Sequence, residues 1–498
     1  MRIISFLFWI LASYFGLLLC FCPLKIELFS NSQSMAGMIN SAIARIFSAT
    51  ARILLSLTTR CTAPSHLSQI LAQLIVHNLT ANTTVAAAFI SSCRAHNLLT
   101  SASFPLFINN HTRPHTFVCN TLLRAFSHSN APHTSPIIYS HMHTNSIPAN
   151  HYTFPFVLKA AADLKLIQEG QSVHAQIIKL GFLSDLYVGN SLVNLYAAAA
   201  DFEMCLKVFD EMPVRDVVSW TVVISGFKDS GRFNDALLVF DRMRNEGVMP
   251  NQVTAVNALA ACAGSGALDT GVWLHNYVKR KEWELDVILG TSLIEMYGRC
   301  GRIEEGLCVF EEMSEKNVYA WNAVIRGQAL SKNGKEALWW FLRMECEGIQ
   351  PNAATLTVVL SACVHIGDVD MGQRIFSSLL DGKYGVPPSV EHYNCMVDLL
   401  ARAKLFNEAC RLINEMPFEP SVSSWGALAA ACRAHGAFEL AEFAAWKLVE
   451  LQPEGSAYYV ALSNVYAEKG RWNDAMRVRE LMADRGLKKD MGCSIVEV

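Results

Sequence analysis

Short polar residues recur at nearly constant spacing through the middle of this sequence. Their amide and carboxylate groups supply hydrogen-bond donors and acceptors, and they are also the groups that cap helix N-termini and stabilise turns. The intervals are 35, 31, 35, 35, 31 and 35 residues, and the series is Asn150, Asp185, Asp216, Asn251, Asp286, Asn317 and Asn352. Such spacing indicates a repeated structural unit that ends at each of these residues.

Motifs for catalysis or metal binding are missing from the sequence. There is no phosphate-binding glycine loop, nucleophile elbow or zinc-protease motif, and the 15 cysteines form no Cys-x-x-Cys. Cys262, Cys363 and Cys432 lie in apolar runs, which predicts buried thiols in a reducing compartment. We predict no enzyme activity, cofactor, metal or small-molecule substrate. We expect the pair Trp339–Trp340 to pack between repeats. We expect a packing or capping role, and no metal binding, for His174, His275, His365, His392, His435 and Cys493.

A block of 101 residues is written more than once. The stretch from Asp216 aligns without a gap with the stretch from Asn317, so that Trp220 corresponds to Trp321. Each unit holds two runs with apolar residues at three- and four-residue steps, separated by a break, which predicts a helix–turn–helix hairpin. A hairpin buries its apolar stripe only by stacking on the next one. The predicted fold class is all-α, a right-handed superhelical α-solenoid of repeats 31–37 residues long with a concave face.

The composition is that of a well-buried chain. Of the 498 residues, 52% are apolar and 17% charged, which excludes a disordered protein. Residues 28–162 contain seven Lys or Arg and no acid, whereas residues 163–498 contain 32 basic and 43 acidic residues. Nucleic-acid-binding domains are usually basic. The acidic balance therefore favours either a groove whose own contacts supply the affinity or a protein-binding array.

Two targeting signals compete at the N-terminus. Phe6–Cys22 is uncharged and apolar, as in a signal peptide or anchor. Residues 35–63 contain three arginines, several Ser and Thr and no acid, as in an organelle transit peptide. We expect residues 1–34 to be an extension, with translation effectively starting at Met35 or Met38. Entry into the secretory route would open three Asn-x-Ser/Thr sites to glycosylation, at Asn78, Asn82 and Asn110.

The repeated phrases resemble the pentatricopeptide repeats of land-plant organelle proteins. They include "VVSWTVVISGF", "VYAWNAVIRG", "SLIEMYGRCGRIEEGLCVFEEM" and "VEHYNCMVDLLARA", and the mixture of ordinary, long and short units is that of the PLS subfamily. Residues 422–498 resemble the C-terminal E extension, itself two repeat-like hairpins, and residues 64–115 resemble degenerate repeats. The array implied between them has the units 116–150, 151–185, 186–216, 217–251, 252–286, 287–317, 318–352, 353–389 and 390–421.

Members of this family that edit RNA often end in a zinc-dependent cytidine deaminase domain, called DYW. That chemistry needs a His-x-Glu and a Cys-x-x-Cys motif. Neither occurs in this sequence. The resemblance is therefore to members that carry the E extension without the deaminase, and any deaminase would have to act in trans.

The resemblance implies that each repeat faces one base of single-stranded RNA, recognised by the fifth and the last residue of the unit. The implied pairs are Asn120 with Asn150, Asn190 with Asp216, Thr221 with Asn251, Thr291 with Asn317, Asn322 with Asn352, and Asn394 with Ser421. With long units skipped, the family's code gives pyrimidine, skip, U, A, skip, A, pyrimidine, skip, C. The skipped units carry Pro155, Val256 and Thr357 at position five. From the residues alone, helix capping explains the unit-end Asn and Asp equally well.

These expectations lead to one favoured function and two alternatives. The favoured one is sequence-specific RNA binding in an organelle, as a site-recognition factor for C-to-U editing whose E extension recruits a deaminase-bearing protein or another editing cofactor. The alternatives are a factor for organelle RNA splicing or stability, and a helical scaffold for protein binding. The arginine-rich leader favours the mitochondrion over the chloroplast.

Overall fold

The computed structural model describes residues 49–58, 64–76, 82–100, 115–331 and 333–487. The N-terminal stretch Phe6–Cys22, the first part of the arginine-rich leader and Cys493 lie outside these residues. The chain divides into two compact units, Met1–Arg215 and Asp216–Val498. Where it is described, each unit is built of α-helices without a β-strand.

The first compact unit contains helices that pair into hairpins. Residues 49–58 are also helical. The helices with defined ends are α1 (Pro64–Val76), α2 (Thr83–Ala95), α3 (Thr116–Ser127), α4 (Thr134–Thr144), α5 (Phe154–Asp163), α6 (Ile167–Leu180), α7 (Leu186–Ala198) and α8 (Phe202–Glu211).

The second compact unit continues the same alternation of first and second helices. Its helices are α9 (Val217–Asp229), α10 (Phe233–Asn245), α11 (Gln252–Ser265), α12 (Leu268–Arg280), α13 (Val287–Arg299), α14 (Ile303–Glu312), α15 (Val318–Leu330), α16 (Gly334–Cys346), α17 (Ala353–Ile366), α18 (Val369–Leu380), α19 (Val390–Arg402), α20 (Phe406–Glu415), α21 (Val422–Ala434), α22 (Phe438–Leu451), α23 (Ser456–Glu468) and α24 (Trp472–Asp484).

The helices of each compact unit form two layers, one of first helices and one of second helices. From α9 to α21, the first helix of every hairpin contacts the first helix of the next hairpin. Each second helix contacts its own first helix and the first helix that follows it. The same contacts link α3, α5 and α7 in the first unit. This is the stacking that a solenoid requires, and the predicted all-α solenoid class is confirmed.

The sequence explains where the hairpins turn. Gly231 follows α9 with a φ of 73°, in the left-handed region that glycine occupies without steric cost. Among the described residues, six other than glycine also hold positive φ angles, in turns that follow helices; they are Asn97, Ser146, Lys165, Ala200, Glu282 and Lys404.

Aromatic residues at the fourth position of two units form the centre of the core. Trp220 in α9 and Trp321 in α15 are completely buried. Trp321 packs edge-on against Phe310, with ring centroids 4.9 Å apart, and lies 5.8 Å from Trp340. Trp340 is buried between repeats as predicted, whereas its neighbour Trp339 is half exposed.

The last two hairpins have a core of their own. α23 and α24 bury Tyr459, Leu462 and Val478 together with Ala445 and Val449 of α22. Among the residues that the structure describes, no helix combines the length and apolarity needed to span a membrane.

Candidate nucleic-acid interface

The predicted base-reading residues lie at the N-terminal ends of the first helices. The fifth residue of a unit is in the first turns of its first helix. The last residue immediately precedes the first helix of the next unit, except that three residues separate Asn150 from the helix that starts at Phe154. Within each compact unit these helices lie side by side in one layer. The fold therefore brings the polar residues of neighbouring repeats to one edge of one layer.

Asn322 and Asn352 are directly hydrogen-bonded, although 30 residues separate them. The Asn322 Nδ2 donates to Asn352 Oδ1 over 3.1 Å. Asn352 is also the N-cap of α17, since its Oδ1 accepts from the backbone N–H of Thr355 over 2.9 Å. The hydroxyl of Thr355 lies 2.6 Å from Asn322 Oδ1 and 3.0 Å from Asn352 Oδ1. Three side chains from two units thus form one cluster.

The first compact unit repeats this cluster. Asn120 Nδ2 donates to Asn150 Oδ1 over 3.0 Å, and the Thr153 hydroxyl donates to Asn120 Oδ1 over 2.8 Å. Asn150 Oδ1 also accepts from the backbone N–H of Tyr152.

Two further pairs are linked through a hydroxyl. Asn394 Oδ1 accepts from the hydroxyl of Ser421 over 3.0 Å and from that of Ser424 over 2.5 Å. In the other pair, the Thr221 hydroxyl lies 2.7 Å from that of Thr254, which in turn lies 2.9 Å from Oδ1 of Asn251.

The remaining two pairs behave differently. Thr291 Oγ1 is buried without a hydrogen-bond partner in the described structure. Its predicted partner, Asn317, caps α15 by accepting from two backbone N–H groups. Asn190 is buried in the first compact unit, and Asp216, in the second, caps α9 through a capping box with Ser219.

Helix capping uses only the side-chain oxygen of three unit-end asparagines. Asn251, Asn317 and Asn352 accept their capping bonds through Oδ1. All the side-chain bonds of Asn352 are accepted by Oδ1, and its amide Nδ2 donates to no group among the described residues. Capping therefore does not consume the donors that a base would require. The bonds to the fifth residue also supply a structural reason for a short polar residue at that register, which the sequence alone did not reveal.

A row of exposed apolar side chains accompanies the polar pairs. They occupy the second position of successive units and are between 47% and 73% exposed; they are Phe117, Tyr152, Tyr187, Val218, Val253, Ile288 and Tyr319. The next units carry Ala354, Glu391 and Ser423 at this position. The sequence analysis assigned no residue to this row. An apolar residue kept at one register just outside the core stripe was the available signal.

Charged groups on the first helices are largely paired with one another. Arg326 Nη1 lies 3.1 Å from Glu295 Oε1 of the preceding unit. Lys228 lies 2.6 Å from Asp229, and Lys159 lies 2.9 Å from Asp163. Such pairs reduce the positive charge available to phosphates.

The buried histidines form a second repeated feature, away from the polar pairs. His174 Nδ1 lies 2.8 Å from the Tyr196 hydroxyl, and His275 Nδ1 lies 2.8 Å from the Tyr297 hydroxyl. Burial lowers the pKa of both histidines. His392 accepts from the Ser389 backbone and helps to cap α19.

The burial predicted for Cys262, Cys363 and Cys432 is confirmed, since all three side chains are buried. Other described cysteines differ, and Cys308 and Cys346 are exposed. Burial raises the pKa of the Cys262 and Cys363 thiols to about 12. Among the described residues, no group of three or more His, Cys, Asp or Glu side chains is arranged to hold a metal ion.

Comparisons with known proteins place these features in a family. A model for the PPR repeat family matches residues 215–264 and 316–365. A PPR repeat model matches residues 190–217, 291–318 and 391–419. A pentatricopeptide repeat-containing protein of Arabidopsis thaliana is 37% identical over 479 residues, covering 89% of this chain and 77% of the relative. The chain belongs to the pentatricopeptide repeat family.

A second Arabidopsis thaliana pentatricopeptide repeat-containing protein is 36% identical over 450 residues, covering 89% of this chain and 76% of the relative. The E motif model matches residues 435–497, which include α22, α23 and α24. This pentatricopeptide repeat protein therefore carries an E extension. The sequence analysis started that extension at residue 422, one helix earlier than the match.

A solved structure has the same fold at low sequence identity. It is the pentatricopeptide repeat protein PPR10 in complex with an 18-nt psaJ RNA element, and it aligns with a TM-score of 0.69 at 15% identity. The alignment covers 88% of this chain and 64% of that chain, so this protein matches somewhat less than two thirds of PPR10.

Proposed function

We propose that this protein binds single-stranded RNA with sequence specificity through the layer of first helices, one base for each ordinary or short repeat. The observation that carries the proposal is that polar side chains and exposed apolar side chains recur at fixed positions of successive units. Hydrogen-bonding pairs at the fifth and last positions alternate with exposed apolar residues at the second position. A base needs both an edge partner and a stacking surface. The five ordinary or short units between residues 116 and 352 carry both features, whereas the unit 390–421 has Glu391 at the second position.

The second-position residues account for affinity. Stacking of a base on an aromatic side chain contributes roughly 1–3 kcal/mol and tolerates any base. Four of the seven exposed side chains in this row are aromatic: Phe117, Tyr152, Tyr187 and Tyr319. The row ends after the unit 318–352, so the strongest stacking is expected between residues 116 and 352.

The charge distribution fits binding by local contacts. Because basic and acidic groups on the first helices pair with each other, few counterions would be released from the RNA on binding. We expect affinity to fall less steeply with salt than it does for proteins that make six to ten phosphate contacts.

The names of related proteins support an organelle location. Relatives 37% and 40% identical to this chain are named as mitochondrial and chloroplastic, respectively. The arginine-rich, acid-free leader favours the mitochondrion. The PPR10 structure contains RNA, which supports RNA as the ligand of the shared fold.

The finer role that we propose is site recognition for C-to-U editing, with a deaminase supplied by a partner that docks on the E extension. The E motif match and the exposed side chains Phe443, Trp446, Trp472 and Met476 support a partner surface there. A role in RNA splicing or stability would use the same RNA interface without this partner. A purely protein-binding scaffold is the alternative that the acidic balance favours.

The test uses the full chain and short RNAs with the predicted base order. Thr221→Asn should move the preference at one base from A toward pyrimidine, by about tenfold in the affinity ratio. Thr357→Asn is the matched control: Thr357 and Thr221 both donate their hydroxyl to the carbonyl four residues earlier, but Thr357 lies in a long unit that is skipped.

The preferred base should change with Thr221→Asn alone. If the wild-type chain binds no RNA at moderate salt, or if both variants weaken all RNAs equally, the proposal fails and the array must be treated as a protein-binding scaffold.

A further inference from the structure

In four units, the third residue contacts both candidate base-reading residues of the unit before it. We propose that its hydroxyl is a positioning group, which fixes the orientation of the asparagine amide at position five and thereby the choice between pyrimidine and purine. The residues that place a hydroxyl there, next to a candidate pair, are Thr153, Thr254, Thr355 and Ser424. The inference rests on the proposed function, since it concerns how the same interface discriminates bases.

The cluster around Thr355 shows how the orientation is fixed. The Thr355 hydroxyl oxygen accepts from the backbone N–H of Asn352 over 3.0 Å. Its single proton therefore points away from that N–H. Two acceptors lie within reach of the proton, and Asn322 Oδ1, at 2.6 Å, is nearer than Asn352 Oδ1, at 3.0 Å. A hydroxyl proton in this direction favours the Asn322 oxygen and disfavours the amide nitrogen in its place.

The positions of the remaining protons follow from this arrangement. Asn322 Oδ1 is occupied by the hydroxyl of Thr355, and Asn352 Oδ1 is occupied by the backbone N–H of Thr355 and by Asn322 Nδ2. The donors left for a ligand are the second proton of Asn322 Nδ2 and both protons of Asn352 Nδ2, and the acceptor left is one lone pair of Asn322 Oδ1. The pair therefore presents three donor protons against one acceptor lone pair.

A pair that presents donors selects bases by their acceptors. The Watson–Crick edges of cytosine and uracil each carry two acceptors, N3 and O2 in cytosine and O4 and O2 in uracil. Adenine and guanine each carry one on that edge, N1 and O6 respectively. Rotation of the Asn322 amide by 180° would present an acceptor and remove this preference for pyrimidines.

The same orientation is found where the cluster recurs. Thr153 donates to Asn120 Oδ1 over 2.8 Å, which leaves Asn120 Nδ2 toward Asn150. Ser424 occupies Asn394 Oδ1 in the same way. Three asparagines at position five are thus held with the oxygen inward by a residue of the following unit.

The experiment compares Thr355→Val with Thr355→Ser in the full chain. Thr355 is completely buried, so valine keeps its shape and removes the hydroxyl, whereas serine keeps the hydroxyl. Affinities are measured for RNAs that differ only at the base opposite the unit 318–352. We expect Thr355→Val to lower the pyrimidine-to-purine affinity ratio roughly three- to tenfold, the effect of one hydrogen bond, and Thr355→Ser to restore it.

An internal reference separates positioning from capping. Thr355 also caps α17, so its loss could weaken the hairpin and reduce binding of every RNA. The ratio at the base opposite the unit 116–150 should stay unchanged in Thr355→Val and fall in Thr153→Val. Circular dichroism melting of each variant checks that the array remains folded.

The inference is overturned if Thr355→Val reduces affinity for all bases equally, or leaves the ratio unchanged. It is also overturned if serine fails to restore the ratio. If the wild-type chain binds RNA without any preference at this base, the proposed function itself fails. The wild-type measurement shows this before any variant is made, so the two failures are distinguishable.

Discussion

Two units of this protein carry the same candidate base-reading pair in different surroundings. Both 217–251 and 287–317 have threonine at position five and asparagine at the end. The hydroxyl of Thr221 contacts the hydroxyl of Thr254, whereas Thr291 Oγ1 is buried without a partner among the described residues. Identical residues at the two candidate base-reading positions therefore do not have identical hydrogen bonds.

The difference comes from the unit that follows. The third residue after the first pair is Thr254, and the third residue after the second pair is Ala320. Alanine offers no hydroxyl, so Asn317 caps α15 through backbone bonds alone, and Thr291 keeps its hydrogen-bonding capacity for another group. The proposed base-reading code uses only the fifth and last residues of each unit, so it does not include the third residue of the following unit.

The two sites also rest on different cores. Directly before Thr221 lies Trp220, and directly before Thr291 lies Gly290. A Cβ at Gly290 would lie 2.6 Å from Sδ of Met313, so the methionine fills the space that a larger residue would need. The helix next to Thr221 is supported by the buried indole of Trp220. The helix next to Thr291 is supported by the Met313 side chain, which packs closely against the backbone of Gly290.

The largest expected effect separates the two cores. Trp220→Ala should lower the local unfolding free energy of α9 by about 3–5 kcal/mol, because it leaves a cavity in a completely buried site. Gly290→Ala should cost less than about 2 kcal/mol, since the flexible end of Met313 can move and alanine favours the helix. Amide hydrogen exchange of α9 and α13 measures both changes. Equal losses in the two variants would show that the cores are equivalent.

A smaller effect is expected when the surroundings of Thr291 are made to match those of Thr221. Ala320→Thr should increase base discrimination opposite the unit 287–317 by about threefold, because it adds one hydrogen bond to the Thr291 hydroxyl. Ala320→Val is the matched control, with the same bulk at a completely buried position and no hydroxyl. RNA titrations at this base measure the ratio. An equal gain in both variants would assign the effect to packing and not to the hydroxyl.

The sequence predicted the repeat, the hairpins and the all-α fold because a period of 101 residues is visible without structural information. The family resemblance also implied that the fifth residue of each unit lies on the first helix. The bonds between the fifth and last residues were not predictable in the same way. The clusters join side chains 27–33 residues apart, and their form depends on a third residue, such as Thr355 or Ala320, that belongs to the next unit.

The apolar row at the second position was missed for a related reason. Within a single unit, Val218 or Val253 cannot be distinguished from nearby core residues, because apolar periodicity in a short helix end does not show which side faces water. The signal appears only when the second positions of successive units are compared. The structure separates them by exposure. Capping and recognition were likewise inseparable in the sequence, since both require a short polar residue at the same position.

The smallest effect concerns pH and returns to the helix that carries Thr291. The same helix, α13, carries Tyr297, whose hydroxyl bonds to His275. Burial lowers the pKa of His275, and the nearby Lys279 lowers it further while Glu312 raises it. The unfolded chain takes up a proton at an ordinary pKa near 6.5, and the folded chain does so only at lower pH. The unfolding free energy should therefore be unaffected above pH 7 and decrease as the pH falls below about 6.5.

The unit 217–251 contains no histidine, and this makes it an internal control. Between pH 7 and pH 5, amides of α13 should lose protection relative to those of α9, after correction for intrinsic exchange rates. His275→Gln should remove most of this difference, because glutamine does not titrate. If α9 and α13 lose protection together, or if the variant retains the difference, the pH response belongs to the carboxylates of the whole array. The two threonine sites would then differ in their hydrogen bonds and cores but not in their response to protons.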